Sequence, residues 1–377
     1  MKFDTKVVHS TLHNRSIKSK STPIYQTSAF TFSSLEELEG FYEGKSPYLY
    51  SRSGNPNTDE LGEMVAALEG APAGVAAASG LGAILAGILA VTESGDHIIA
   101  AEDIYGGTYQ LLNEELKTFG ITTSFVDFSI PEEIEKSITP QTKLLYSESI
   151  TNPFLRVENM DAMVSIAKKH KLVTMIDNTF ATPYLMTPYS NGVDIVAHSA
   201  TKYIGGHSDV TAGVTVGSEE VIAKARTKVI NLGFNLSPHE AWLTARGCKT
   251  LSLRMKQQCV NASELAEALL GYDGIKKVYY PKDAAEKGSG AIVTIELSEQ
   301  NDIHRFFTGL SWVKIVPTLA GVETTVSYPQ GTSHRALSQE AREKIGVNQQ
   351  VVRISVGIED SGDIIQAFKD AVDYSRL

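Results

Sequence analysis

The sequence predicts an α/β protein whose larger domain contains a mostly parallel sheet with helices on both faces. Short apolar segments of strand type alternate with segments of helical periodicity between residues 57 and 216, and this alternation is typical of a parallel sheet covered by helices. A chain of 377 residues is also long enough for two domains with separate cores. We expect an N-terminal arm over residues 1–53, a large domain over 54–252 and a smaller α+β domain over 253–377.

Composition excludes several classes of protein. The 44 acidic and 34 basic residues leave a formal net charge of −10, which argues against nucleic acid or an anionic membrane as the main partner. Two cysteines, Cys248 and Cys259, are too few for a disulfide framework and lack the spacing of metal ligands, so no metal site is expected. No apolar run approaches the ~20 residues of a membrane span, and the N-terminus lacks the apolar core of a signal peptide. We therefore expect a cytoplasmic protein.

The arm is polar and contains one segment of helical character, residues 35–42. A polar arm of this kind has little apolar surface to bury by itself. It nevertheless carries four tyrosines, which mobile tails seldom do: Tyr25, Tyr42, Tyr48 and Tyr50. We expect the arm to pack against a partner subunit.

Regular structure is predicted to begin at Asn57 and Thr58, which are good N-cap residues, and a first helix to end at Gly70. A second, wholly apolar helix is expected over residues 83–91. The remaining strands of the large domain are predicted at 97–101, 123–126, 143–146, 172–176, 194–197 and 212–216. Further helices are predicted near 107–119, 131–138, 158–170 and, as one long helix, 238–270. The C-terminal domain is expected to contain strands at 291–297, 313–316, 323–326 and 351–356 and a helix at 362–374.

Two successive predicted strands end in residues of opposite charge. Asp177 follows the strand at 172–176, and Lys202 follows the strand at 194–197 after Ser199 and Thr201. Open α/β sheets bind ligands at the carboxyl ends of their strands. A pyridoxal 5'-phosphate (PLP) enzyme needs a lysine that bonds to the cofactor and an acid that keeps the pyridine nitrogen protonated. The pair predicts a PLP site, although a lone lysine is more often simply solvated.

A phosphate cradle is available in Ser79, Gly80 and Leu81, which precede a predicted helix. Free backbone N–H groups at a helix N-terminus favour an anion. Ser199 and Thr201 could hold the same phosphate. By itself a Ser-Gly pair in this position is more often a plain helix cap.

Three more residues suit a PLP site. Tyr105 follows the strand at 97–101 and could stack on the pyridine ring, or be an ordinary turn tyrosine. Asn152 could bind the phenolic oxygen of the cofactor, or only shape the turn before Pro153. Arg353 lies within an aliphatic strand, where a guanidinium is costly unless paired. Its planar fork suits the carboxylate of an amino-acid substrate.

Six motifs together resemble the PLP-dependent enzymes of cysteine and methionine metabolism, which include cystathionine γ-synthase, cystathionine γ-lyase, methionine γ-lyase and cystathionine β-lyase. The motifs occur in the family's order over nearly the whole chain, at residues 50–56, 78–81, 105–108, 177–180, 198–203 and 353–357. The resemblance implies an aspartate-aminotransferase-like (fold type I) subunit in a homotetramer built from two dimers. It also implies that Tyr50 and Arg52 reach the phosphate of the neighbouring subunit's cofactor. Lys202, Asp177, Tyr105 and Tyr50 are the catalytic residues that it implies.

The sequence departs from the family near the expected substrate site. Thr318-Leu319-Ala320-Gly321 stands where the family usually has Ser-Leu-Gly-Gly. Pro317 replaces a glutamate frequent in the synthase and γ-lyase branches, and Gly107 replaces a cysteine typical of methionine γ-lyases. With Arg353, Thr318 and Asn152 as the expected substrate-binding residues, these differences put the substrate in question.

We expect γ-elimination or γ-replacement on sulfur amino acids. The alternatives are a cystathionine β-lyase, an O-acylhomoserine sulfhydrylase and a non-catalytic protein of the same fold. Intact Lys202, Asp177 and Arg353 argue against the last of these. Pro317 has no charge with which to bind the far end of the substrate. If a charged residue binds that end, Glu323 and Arg335 are the candidates.

Overall fold

A computed structural model describes residues 1–10, 19–335 and 339–377 of the chain. It contains a seven-stranded sheet and a five-stranded sheet. The strands of the larger sheet are β1 (Ala73–Ala77), β2 (His97–Ala101), β3 (Thr122–Val126), β4 (Thr142–Glu148), β5 (Val173–Asp177), β6 (Ile195–His198) and β7 (Gly213–Gly217). Those of the smaller sheet are β8 (Ile275–Tyr279), β9 (Ile292–Leu297), β10 (Lys314–Ile315), β11 (Thr325–Ser327) and β12 (Val351–Ser355).

Helices cover the larger sheet and one side of the smaller one. Those in the first half of the chain are α1 (Phe3–His9), α2 (Leu35–Tyr42), α3 (Pro56–Glu69), α4 (Gly80–Leu89), α5 (Gly106–Gln110), α6 (Leu116–Thr118), α7 (Pro131–Lys136), α8 (Met160–His170) and α9 (Thr182–Leu185). Those in the second half are α10 (Glu219–Leu232), α11 (Pro238–Cys248), α12 (Leu251–Leu269), α13 (Ile303–Gly309), α14 (Gln339–Lys344) and α15 (Ser361–Tyr374). None of these described helices is long and apolar enough to cross a membrane.

The larger sheet has the strand order β1-β7-β6-β5-β4-β2-β3. Pairing is parallel from β6 to β3, and β7 runs antiparallel to both of its neighbours. The mostly parallel sheet predicted from the alternation is therefore confirmed. Because β4, β5 and β6 are parallel neighbours, their carboxyl ends meet at one edge, where Glu148 pairs in register with Asp177 and Asp177 with Ala197.

Helix α3 shows how local sequence sets the element boundaries. It begins at Pro56 after Asn55, whose side-chain oxygen accepts a hydrogen bond from the Asn57 backbone N–H. It ends at Gly70, whose φ of 78° is the left-handed conformation that glycine adopts without strain. The predicted cap at Asn57 and Thr58 is thus two residues too late, because Asn55 performs that role.

Helix α12 connects the two sheets. Near its start, the buried Arg254 donates through Nη1 to the Tyr203 carbonyl oxygen at 2.7 Å. One turn later, Gln258 donates through Nε2 to the carbonyl oxygens of Gly321 and Val356, at 2.9 and 3.0 Å. The apolar face of the same helix packs on the smaller sheet, with α15 beside it. Tyr203, which follows Lys202, and Gly321, in the segment after Pro317, therefore both form hydrogen bonds with α12.

Several predicted elements differ from the structure. The expected long helix at 238–270 is two helices, α11 and α12, which end and begin on either side of Lys249 and Thr250. Helix α1 and the strands β1 and β8 were not predicted. Strand β1 is short and alanine-rich, and β8 contains Lys276 and Lys277 at exposed positions, so neither has the apolar pattern of a buried strand. The expected helix at 83–91 begins earlier, at Gly80.

Candidate active site

A cavity of about 230 Å³ lies at the carboxyl ends of β4, β5 and β6, between the two sheets. Its walls include the start of α4, the ends of these three strands, the segment after β10, and β12. The residues that line it are Ser79, Gly80, Leu81, Ile84, Tyr105, Glu148, Ile150, Asn152, Asp177, Thr179, Phe180, Ser199, Thr201, Lys202, Thr211, Pro317, Leu319, Ser333 and Arg353. Nearly all the residues predicted as a PLP site therefore meet in one cavity.

Lys202 extends from the turn after β6 into this cavity. Its Nζ donates a hydrogen bond to the Thr318 hydroxyl at 2.7 Å. Burial, together with the nearby positive charge of Arg353, lowers the pKa of Lys202 to about 8. Near neutral pH such a lysine is uncharged in a much larger fraction of molecules than an ordinary lysine, and the uncharged amine is the nucleophilic form.

Asp177 ends β5 with its carboxyl group held in a fixed orientation. Its Oδ1 accepts hydrogen bonds from the backbone N–H of Thr179, at 2.9 Å, and from the Thr179 hydroxyl. Burial raises the pKa of Asp177, and these hydrogen bonds and attraction by His198 act in the opposite direction. Its charge is therefore set by competing effects of its surroundings.

Glu148 is a second acid at the same edge that the sequence reasoning missed. It is buried and ends β4 directly beside Asp177. Burial and the negative charge of Asp177 raise the pKa of Glu148 well above its ordinary value. Its Oε1 accepts a hydrogen bond from the Tyr105 backbone N–H at 2.7 Å. An acid at the carboxyl end of a predicted strand, the signal used for Asp177, would have found it had the strand been extended past Tyr146.

The predicted phosphate cradle has the expected local structure. Ser79 caps α4, and its hydroxyl accepts a hydrogen bond from the Gly82 N–H at 3.1 Å. A Cβ atom on Gly80 would lie 2.7 Å from the Cβ of Ser199, so only glycine permits this close approach. The Thr201 hydroxyl is paired with the backbone of Ala212, donating to its oxygen and accepting from its nitrogen.

Arg353 lies in β12 and is 2 % exposed. Its Nη1 donates to Asn152 Oδ1 at 3.2 Å and its Nη2 to the Thr318 carbonyl oxygen at 3.4 Å. Both acceptors are neutral, and no carboxylate of the described residues forms an ion pair with this guanidinium. Burial lowers its pKa to about 10. A buried cation that faces a cavity without an acidic partner is a suitable site for an anionic group.

His334 forms a hydrogen bond with the backbone of Asn152, and the sequence pattern did not identify it. This fully buried histidine donates from Nε2 to the Asn152 backbone oxygen at 3.1 Å, while its Nδ1 accepts from the Ser333 hydroxyl at 2.9 Å. Burial, and then repulsion by Arg353, lowers its pKa to about 4. It is therefore a neutral support for the loop that carries Asn152.

The backbone N–H of Tyr105 is held by Glu148, and the residue is 41 % exposed. A Cβ atom on Gly107 would lie 2.6 Å from Cε1 of the Tyr105 ring. The residue type at position 107 therefore affects where the Tyr105 ring can lie.

Tyr50 and Arg52 do not line the cavity that contains Lys202. Arg52 lies 5.6 Å from the centroid of the Tyr50 ring and donates to the Ile230 carbonyl oxygen at 3.4 Å. It lines a separate surface depression with Asp59 and Arg226. Within a single chain, these two predicted site residues are thus apart from the others.

The segment after β10 lies against the cavity with neutral side chains. Pro317 and Leu319 line it, whereas Thr318 contacts Lys202 and Arg353. Glu323 forms a surface ion pair with Lys314 at 3.1 Å, and neither Glu323 nor Arg335 is among the residues that line the cavity.

These residues fit PLP. The cavity contains a lysine with a lowered pKa, an oriented carboxyl group and a helix N-terminus shaped by Gly80, and it offers a buried guanidinium for the substrate. The family model of the Cys/Met metabolism PLP-dependent enzymes matches residues 4–373. The chain belongs to this family.

Members of the family resemble the chain over its whole length. A cystathionine beta-lyase of Lactococcus lactis subsp. cremoris is 39% identical, over 98% of both chains. The crystal structure of a cystathionine gamma-lyase from Lactobacillus plantarum, complexed with L-serine, has a TM-score of 0.93 and 34% identity, covering 100% of this chain and 99% of that one.

A third relative bears on the cofactor. The structure of a putative O-acetylhomoserine (thiol)-lyase from Campylobacter jejuni carries a pyridoxyl-lysine monophosphate. It has a TM-score of 0.94 and 28% identity, and the alignment covers 99% of this chain and 100% of that one. The predicted cofactor, PLP, and the predicted fold type are therefore confirmed.

Proposed function

We propose that this protein is a PLP-dependent C–S lyase that acts on sulfur amino acids with a short, uncharged side chain, by γ-elimination or γ-replacement. The observation that carries the proposal is that Lys202, Asp177 and Arg353 line one cavity whose wall at Pro317 and Leu319 is uncharged. Lys202 and Asp177 suit the chemistry of the cofactor, and Arg353 suits the carboxylate of an amino-acid substrate. The uncharged wall suits an uncharged substrate side chain.

Lys202 is assigned the covalent attachment of the cofactor and the movement of protons. When bound, PLP withdraws electrons from the α-carbon of the substrate. Lys202 would hold PLP through its Nζ. With the substrate amine bound in its place, the free Nζ would accept the proton of the α-carbon and return it to another carbon of the substrate or to the cofactor. The lowered pKa, about 8, supports a base that is partly unprotonated at neutral pH. The Thr318 hydroxyl, which accepts from Nζ, gives the free amine a defined position.

Arg353 is assigned the substrate carboxylate. The carboxylate would bind the fork of the guanidinium in a bidentate manner. Asn152 orients that fork through Oδ1, and the Thr318 carbonyl oxygen supports its other branch. Substrate binding through Arg353 places the α-carbon near Lys202, since both side chains reach the same cavity.

The remaining cavity residues are assigned to the cofactor. Asp177 would hold the proton on the pyridine nitrogen, and Tyr105 would stack on the ring. Ser79, Gly80, Leu81, Ser199 and Thr201 surround the proposed phosphate position at the start of α4. Tyr50 and Arg52 would complete that position from the neighbouring subunit.

An assembly of subunits is part of the proposal. Tyr50 is 43 % exposed and, with Arg52, lies outside the cavity of its own chain, which supports a role in the cavity of a neighbour. The proposal also includes a homotetramer built from two dimers whose subunits share active sites in this way. It further includes a cytoplasmic location, which agrees with the two free cysteines.

β-Elimination from cystathionine is the second candidate. The Lactococcus relative named cystathionine beta-lyase is 39% identical, and the cofactor site serves β-elimination equally well. The two reactions differ in their keto acid, because β-elimination from cystathionine yields pyruvate whereas γ-elimination from methionine or homocysteine yields 2-oxobutanoate.

One assay panel tests the proposal. The purified holoenzyme is incubated with methionine, homocysteine, cystathionine, cysteine and an O-acylhomoserine, and ammonia, thiol, pyruvate and 2-oxobutanoate are measured. We expect 2-oxobutanoate and thiol from the short γ-substrates, and no product with Lys202→Ala. Pyruvate as the main keto acid, formed from cystathionine, would favour the second candidate. Absence of any keto acid, together with no consumption of thiol when an O-acylhomoserine is incubated with cysteine, would contradict both.

A further inference from the structure

The loop that follows β4 is fastened to residues on or beside the smaller sheet. Asn152, in this loop, accepts through Oδ1 from Arg353 Nη1 at 3.2 Å and through its backbone oxygen from His334 Nε2 at 3.1 Å. The backbone oxygen of the next residue, Pro153, accepts from the Thr294 hydroxyl at 2.6 Å. Two adjacent residues of the loop are thus held by three residues that are distant in sequence.

Two of these three residues are placed by the sheet itself. Arg353 and Thr294 are buried and pair in register on the neighbouring strands β12 and β9. His334 instead belongs to a turn after β11, and it is fixed by local hydrogen bonds. Its backbone N–H donates to the Pro329 oxygen at 2.9 Å, and its Nδ1 accepts from the Ser333 hydroxyl at 2.9 Å. The imidazole ring is therefore oriented before it meets the loop.

The hydrogen bond between His334 and Asn152 has only one possible direction. A backbone carbonyl oxygen can accept but cannot donate, so Nε2 carries the hydrogen. This is true of the neutral ring and would be equally true of a charged one. Among the described residues, His334 is the one donor to this buried oxygen. Loss of the histidine donor would leave the oxygen unpaired, which is costly in a buried position.

The position of Asn152 matters because Arg353 depends on it. The guanidinium forms two hydrogen bonds, of which the one to Asn152 Oδ1 is shorter than the 3.4 Å contact with the Thr318 oxygen. The Nε of Arg353 is buried and has no partner among the described residues. A guanidinium binds a carboxylate through two parallel hydrogen bonds only when its planar fork faces that group. A displaced Asn152 would leave the fork free to turn.

We propose that His334 is a positioning residue for the substrate carboxylate: by holding the backbone of Asn152, it keeps the fork of Arg353 turned towards the cavity. The inference rests on the proposed role of Arg353. His334 is fully buried and is not among the residues that line the cavity, so it acts through Asn152 and not by touching the substrate.

The test compares two ligands that differ in the carboxylate alone. Holoenzyme is mixed rapidly with L-methionine or with methylthiopropylamine, which is methionine without its carboxyl group. The change in cofactor absorbance before product forms gives each dissociation constant. In His334→Asn, the shorter amide no longer reaches the Asn152 oxygen. We expect the dissociation constant of methionine to rise about tenfold, as for a buried acceptor that loses its donor, and that of the amine to stay unchanged.

His334→Gln is the matched rescue variant, because its longer amide places an N–H donor near the position of Nε2. It should keep the affinity for methionine. His97→Asn is the control for loss of a buried histidine, since His97 begins β2 and contacts the hydroxyls of Thr142 and Ser124 at the edge of the sheet opposite the cavity. Neither dissociation constant should change in it. If His334→Asn does not fold, His334→Leu, which also lacks the donor, takes its place with the same expected result.

The results that would overturn the inference are separate from those that would overturn the proposed function. An equal rise for both ligands in His334→Asn or its substitute, or no rise for methionine, would show that His334 is only structural. Equal loss of methionine affinity in His334→Gln would show that the hydrogen bond is not the cause. Undiminished methionine binding in Arg353→Met would show that Arg353 does not bind the carboxylate, and that part of the proposed function would fail with it.

Discussion

The Nζ of Lys202 donates a hydrogen bond to the Thr318 hydroxyl across 2.7 Å, joining the turn after β6 in the larger sheet to the segment after β10 in the smaller one. The Thr318 carbonyl oxygen also accepts from Arg353. One residue of the smaller domain thus positions both the proposed base and the proposed carboxylate site. The alignment of the two sheets, held by α12, therefore affects the chemistry of Lys202.

The first prediction concerns the pH dependence of cofactor uptake. Burial and Arg353 lower the pKa of Lys202 from 10.5 to about 8, so the reactive, uncharged amine is populated at lower pH than in a free lysine. The rate at which cofactor-free protein takes up PLP should rise with pH and level off above about 8. Absorbance after rapid mixing measures the rate. A rate still rising steeply at pH 10 would contradict the lowered pKa. Borohydride reduction, which fixes the cofactor to the lysine that carries it, should label Lys202.

The second prediction concerns Asp177. Asp177→Asn should still bind PLP but lose at least roughly 3 kcal/mol of transition-state stabilisation, because a preorganised charge is removed from the cofactor. Steady-state kcat with the best substrate of the panel measures the loss. Asp194→Asn is the control, since this carboxylate binds Thr174 at the far end of the same strands. Equal activity of the two variants would show that the acid at position 177 is structural.

The third prediction concerns sharing of the active site between subunits. Arg52 lies outside the cavity of its own chain. Mixtures of inactive Arg52→Ala and inactive Lys202→Ala subunits should therefore regain activity, because some hybrid dimers contain one intact site. Hybrid formation is verified by differently tagged subunits. Verified hybrids without any activity would mean that each chain builds its own site.

The fourth prediction concerns substrate choice. Pro317 offers no charge or donor to a distal ammonium group, and a charge-assisted hydrogen bond there is worth about 1.5–3 kcal/mol. Pro317→Glu should raise kcat/KM for cystathionine relative to methionine, while Pro317→Gln, which adds a similar volume without a charge, should do so much less. Strong selectivity for cystathionine in the unmodified enzyme, unaffected by Pro317→Glu, would show that another group binds the distal end.

The fifth prediction concerns the backbone beside Thr318. Ala320 has a φ of 73°, in the left-handed region, and its N–H donates to the Ser355 hydroxyl at 2.8 Å. Ala320→Gly should change the free energy of unfolding by no more than about 1 kcal/mol, because relief of backbone strain offsets the added entropy of the unfolded chain. Ala320→Val should cost more than about 2 kcal/mol, because β-branched residues are rarely found at positive φ. Chemical denaturation measures both. Equal stability of the two variants would contradict the strain.

The amino-acid order was enough to predict the class of fold and the cofactor. Alternation of apolar segments predicted the parallel sheet. Residues at strand ends, such as Asp177 and Lys202, indicated PLP, and the further motifs along the chain supported that prediction. These signals are local: each depends on a few adjacent residues and on the rule that parallel strands end at one edge.

The distant groups that act on those residues are known only from the packing of the folded chain. Thr318 is 116 positions from Lys202, and His334 is 182 positions from Asn152. Such pairs depend on the packing of separate elements, which the periodicity of a segment does not encode. The structure likewise decided that Tyr50 and Arg52 lie away from the cavity of their own chain. The burial that shifts the pKa of Glu148 and Lys202 is a property of the assembled sheets, and for that reason it could not be read from the order of residues.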